Sequence, residues 1–96
     1  VHILLEGTPP EIDLKLLEAK LSAVPGVVAV DDLHVWTITS GLDAMSCHLV
    51  VDDMPNSAAI LTAASAAMRS EFGLTHTTIQ IEDGSIRNAE GHATRL

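Results

Sequence analysis

Two β-branched runs, VVAVDDLHVWTITS at residues 27–40 and MSCHLVV at residues 45–51, constrain this chain more than any other feature. Each is the kind of segment that fits a pleated, half-buried surface. Ser40-Gly41-Leu42-Asp43 lies where they meet and supplies a turn with glycine at its middle. So short a connection leaves no room for a crossover, so the two strands must form an antiparallel hairpin. The remaining elements have to pack on that hairpin.

Their identities follow from spacing. Residues 1–5, VHILL, make an apolar run long enough for a buried strand and too short for a helix. Thr8-Pro9-Pro10-Glu11 reads as a helix start, with Thr8 as N-cap and Glu11 returning a capping-box bond. Leu14, Leu17, Leu21 and Val24 then form an apolar stripe that Pro25-Gly26 ends. After the hairpin, Asn56 is placed to cap a second helix whose inner face is Ile60, Ala64, Ala67 and Met68, with Gly73 as its stop. Residues 75–82, THTTIQIE, alternate as a strand. The order β-α-β-β-α-β predicts an α+β, ferredoxin-like sandwich in which two helices cover one face of a four-stranded antiparallel sheet. Residues 1–83 are expected to form the domain, and residues 84–96, GSIRNAEGHATRL, a loose tail.

Composition narrows what such a domain can do. Five Lys and Arg against thirteen Asp and Glu give a net charge of −8 over 96 residues, which disfavours nucleic acid and anionic lipid and favours cations. The one cysteine, Cys47, allows neither an internal disulfide nor a CxxC metal knuckle, and suits a reducing compartment. A metal site would therefore be built from His and carboxylate. No apolar run reaches the ~20 residues that cross a bilayer, and a chain beginning at valine reads as a piece excised from a longer protein. Neither a nucleophile elbow nor a glycine-rich phosphate loop is present, so no enzymatic activity is expected.

Alternation fixes where the polar side chains point. Leu33 and Val35, Cys47, Leu49 and Val51, and Ile79 and Ile81 go to the helix-covered face. His34 and Trp36, Ser46, His48 and Val50, and Gln80 and Glu82 go to the open face. With Gly41 as turn centre, His34 and His48 are expected directly opposite each other, their Cβ atoms about 4.5 to 5.5 Å apart. Two imidazoles so placed can grip one divalent ion, and Glu82 is a candidate third ligand. A lone surface imidazole is usually an ordinary half-polar residue, so it is the pairing that carries the argument. Asp31, Asp32, Asp52 and Asp53 read as turn or strand-end acids that strengthen the field around a cation. Trp36 reads as a packing or interface residue, and Cys47 as an inert core residue.

The segments ILLEGTPPEID, PGVVAVDDLHVWTITSG and HTTIQIE, in that order across most of residues 3–82, resemble the C-terminal cytoplasmic domain of cation diffusion facilitator transporters, which export zinc, cadmium and cobalt. The resemblance implies a homodimeric domain attached to a transmembrane domain of the same full-length chain, on the cytoplasmic side of the cell inner membrane. Metal bound there would draw two protomers together and favour transport. Carried over by position, the family's metal-binding residues fall on His34, His48 and Glu82. Water, His76 or a group from the other protomer is expected to complete the site. Some members add a histidine from the second helix, where this chain has Leu61 and neighbouring alanines, so a second, bridged metal is not expected. Imidazole with carboxylate suits Zn²⁺, with Cd²⁺ or Co²⁺ as substitutes. Protons compete for imidazole, so binding should weaken below about pH 6.5. A soluble metallochaperone-like or small-ligand-binding module, and a metal-free dimerisation module, are the competing readings.

Overall fold

The computed structural model describes residues 3–4 and 12–85. Its elements are β1 (Ile3–Leu4), α1 (Leu14–Ser22), β2 (Val27–Thr39), β3 (Leu42–Val51), a 3₁₀ turn (Met54–Asn56), α2 (Ser57–Phe72) and β4 (His76–Asp83). The α+β class and the expected element order hold. The sheet, however, is mixed rather than antiparallel. Its strand order is β1-β2-β3-β4, with β2 and β3 antiparallel and with β1–β2 and β3–β4 parallel. Each helix carries the chain back to the starting end of the sheet and sets the next strand directly beside the one just left, and such a crossover can only produce a parallel pair.

The first helix begins later than its proline pair suggests. Asp13 is the N-cap, its carboxylate accepting from the backbone N–H of Lys15 at 3.0 Å and of Leu16 at 3.1 Å. These bonds satisfy donors that the first helical turn leaves open. Thr8 to Glu11 lie outside the described residues, as do residues 86–96 of the expected tail. At the second helix, Asn56 occupies the cap position without a side-chain cap bond, and Gly73 ends the helix at φ +68° as its left-handed stop requires.

The core is aliphatic, as two aromatic residues in the whole chain dictate. Leu17 and Leu21 of α1, with Ile60, Ala64 and Met68 of α2, pack on Leu33, Val35, Met45, Cys47, Leu49 and Val51. Ile79 and Ile81 join from β4 as partly buried neighbours. Both helices therefore cover one side of the sheet, and the other side remains uncovered around His34, Trp36 and His48. The chain crosses a corner of that side just after β4. A Cβ on Gly84 would lie 3.1 Å from the Val51 carbonyl oxygen and 3.3 Å from Val50 Cγ1. Val50 is consequently buried although it points away from the helices.

Cys47 is 2% exposed, and burial pushes its thiol from 9.0 up to about 12. The native thiol should resist iodoacetamide at mildly alkaline pH and react fully once denaturant is added, since the thiolate is the nucleophile. Rapid native labelling would contradict this burial. Stability from keeping the thiol neutral is intact below pH 9.0, where the unfolded thiol ionises, and is lost as the pH rises toward about 12.

Candidate metal centre

The hairpin does not have the register expected from a turn centred on Gly41. His34 pairs with Ser46, and His48 pairs with Asp31. The loop is tighter than a four-residue turn, with Thr39 paired to Leu42; the register shifts between Thr37 and Thr39 and again between Asp31 and His34. The two imidazoles are thus diagonal rather than directly opposed, a separation of about 7–8 Å between such positions that long side chains still span. They nevertheless line one pocket of about 320 Å³ together with Asp32, Ser46, Cys47, Thr78 and Gln80.

Glu82 is where strand alternation put it. Parallel pairing sets Gln80 beside His48 and Glu82 beside Val50, and Glu82 Oε2 lies 2.8 Å from His48 Nδ1. Gln80 Nε2 donates to the same Oε2 at 3.2 Å and so helps to hold the carboxylate. Asp32 Oδ2 approaches His48 Nδ1 from the other strand at 3.4 Å. That nitrogen is sealed from solvent and makes no aligned hydrogen bond despite the short contact. A carboxylate oxygen this close to an imidazole nitrogen is complemented either by an N–H turned toward it or by a cation beside it. The cluster is therefore a candidate seat for a cation.

His76 is not brought to this cluster. It starts β4, pairs with Ala44, and lies 3.3 Å from the Thr75 hydroxyl through Nδ1. Six residue steps along the strand separate it from Glu82, about 20 Å at ordinary strand rise. The same chain's His76 therefore cannot share an ion with Glu82, and it lines a separate groove beside Trp36 and Ile38. Two acids that the sequence reading set aside as strand-end charges do belong here. Asp31 is directly across from His48, and Asp32 touches the imidazole nitrogen. Their adjacency to the DLHVW segment was the available signal, but only the register shift reveals which way they face.

The donor types present, imidazole nitrogen and carboxylate oxygen, are those that Zn²⁺ accepts in four-coordinate sites. Among the described residues no three His, Cys, Asp or Glu side chains converge as a finished metal centre. No helix among the described residues is long and apolar enough to cross a membrane.

The domain is thus a small α+β sandwich with one uncovered sheet face that carries an imidazole and carboxylates on a helix-backed hairpin. Residues 9–84 match the cation efflux protein, cytoplasmic domain, family, and the chain belongs to that family. It is 44% identical over 85 residues to a cadmium, cobalt and zinc/H(+)-K(+) antiporter of Bacillus subtilis, covering 85% of this chain and 27% of the antiporter. It is 38% identical to a vacuolar zinc transporter of Toxoplasma gondii, covering 88% of this chain and 10% of that protein. The metal-bound C-terminal domain of the CzcD transporter from Cupriavidus metallidurans has a similar fold. It matches with a TM-score of 0.69 and 35% identity, over 74% of this chain and 99% of that domain. The chain thus spans about a quarter or less of its transporter relatives, and its family is a family of transporter domains rather than of enzymes.

Proposed function

We propose that this domain is the metal-responsive, dimer-forming part of a divalent-cation efflux transporter, with zinc as the favoured ion and cadmium or cobalt as substitutes. It would hang on the cytoplasmic side of the cell inner membrane from a transmembrane domain of the same full-length chain. The observation that carries the reading is the meeting of His48 Nδ1 with the carboxylates of Glu82 and Asp32 at 2.8 and 3.4 Å on an uncovered sheet face. His48 and Glu82 would hold the ion, with His34 reaching from across the pocket and Asp31 and Asp32 supplying further oxygen. Water or a group from a second protomer would fill the remaining position. A bound divalent cation supplies the positive charge that lets these carboxylates stay close.

The residues of the chain explain why such a charge would matter for pairing. Asp31, Asp32 and Glu82 crowd acidic groups beside one imidazole, in a domain of net charge −8. Two copies that approach through this face repel each other until that charge is neutralised. Neutralisation favours the closed pair, and by linkage the closed pair binds the cation better. Crystals grown with zinc and measured at the zinc absorption edge test this directly. Anomalous density between His48 and Glu82 is expected, and zinc found only on other side chains would reject the assignment.

A further inference from the structure

We propose that Asp32 is a positioning residue for this site, acting through its backbone: its left-handed conformation forms the bulge that turns Asp31 toward His48. The inference rests on the cation-site reading above and adds the element that assembles the site. Among the described residues, Asp32 is the one non-glycine residue with positive φ, at +53°. It lies where the β2–β3 register shifts by one residue, so that Asp32 and Leu33 together face Cys47. An extra residue in one strand is the signature of a β-bulge, and aspartate is among the few side chains that tolerate the left-handed region.

The bulge has a consequence for every residue upstream of it. Asp31 and His34 are three apart, yet both pair with open-face partners, His48 and Ser46. Val30 and Leu33, also three apart, are both in the core, at 4% and 0% exposure. Strict alternation forbids either result. If the register at His34 simply continued, Asp32 would pair with His48, Asp31 would turn inward beside Leu49, and Val30 would face outward. A carboxylate would then be buried among aliphatic side chains, which is costly without a partner. The left-handed residue prevents this and delivers two consecutive acids to one imidazole.

Four variants separate the backbone role from the carboxylate. Asp32→Asn and Asp32→Gly accept the left-handed conformation, whereas Asp32→Ala resists it and the β-branched Asp32→Val resists it more. Asn and Gly both lose the Asp32 carboxylate and should lose some zinc affinity by isothermal titration calorimetry, the Gly value setting the cost of the carboxylate alone. Affinity should fall about a further tenfold below Gly for Val, as losses of positioning partners do at metal sites. If Val does not fold, the Ala and Gly pair carries the comparison, with Ala the weaker binder. Cross-strand NOEs between Asp31 and His48 in the metal-free domain give a second readout, expected to persist in Gly and to vanish in Val or fade in Ala. Equal loss of affinity in Gly and Val would overturn the inference, because the carboxylate alone would then matter. Persistence of the Asp31–His48 NOEs in Val would overturn it as well. A parent domain that binds no zinc would reject the proposed function, and the NOE comparison would still decide the role of Asp32.

Discussion

Zinc at a hundredfold excess over its dissociation constant is expected to stabilise the parent domain by about 2.7 kcal/mol, and His48→Ala is expected to remove that stabilisation. In a domain of this size the shift corresponds to a rise in melting temperature of about 10–20 °C. His48 is the right residue to remove because both nearby carboxylates, Glu82 at 2.8 Å and Asp32 at 3.4 Å, meet at its Nδ1. Without the ring they face each other as like charges with no nitrogen donor. Glu82→Gln should reduce the zinc response, since Gln80 still holds the side-chain oxygen but the negative charge is gone. His76→Ala should leave the response intact, because His76 lies at the other end of β4. Calorimetric melts with and without zinc read all three variants, and a zinc response unchanged in His48→Ala would remove the basis for the metal site.

Gly26→Ala is expected to destabilise the fold by about 2–5 kcal/mol, with or without metal. Gly26 turns the chain from α1 into β2 at φ +97°, a conformation that side chains rarely adopt. Steric strain there accounts for about 1–2 kcal/mol. A methyl group would also stand 2.6 Å from Ile60 Cδ1, and Ile60 is itself a core residue of α2 at 3% exposure. Overpacking of that kind adds about 1–3 kcal/mol. Ile60→Val in the Gly26→Ala background should recover part of the loss by withdrawing the offending methyl, whereas the same substitution alone should destabilise. Chemical denaturation curves of the four proteins measure the coupling. Simple additivity would show that the strain resides in the backbone and that the contact is unimportant.

The sequence was most informative where a pattern is local. The two β-branched runs, the leucine stripe of α1, the alanine-rich inner face of α2 and the glycine stop at Gly73 all read correctly, because each is set by neighbours three or four residues away. The sense of the sheet did not, because the direction in which a strand returns depends on where its helix lands and no residue type records that. The hairpin shows the same limit on a smaller scale. A turn centre was inferred from Gly41, but the loop closes on Ser40 and Gly41 alone, and one bulge at Asp32 then moves every upstream pairing. Alternation downstream of that bulge placed His34, His48 and Glu82 on the open face; His34 and His48 line one pocket, and Glu82 meets His48. Upstream of it, Asp31 and Asp32 went unrecognised because their orientation depends on a single dihedral angle.

The parallel placement of β4 bears on when the cation could first be captured during folding. His48 and its two aspartates belong to one hairpin, whereas Glu82 lies on β4, which follows α2 in the chain and pairs alongside β3. On the proposed reading, a chain still lacking that strand would hold only part of the donor set, so tight capture of the ion would report that β4 is in place.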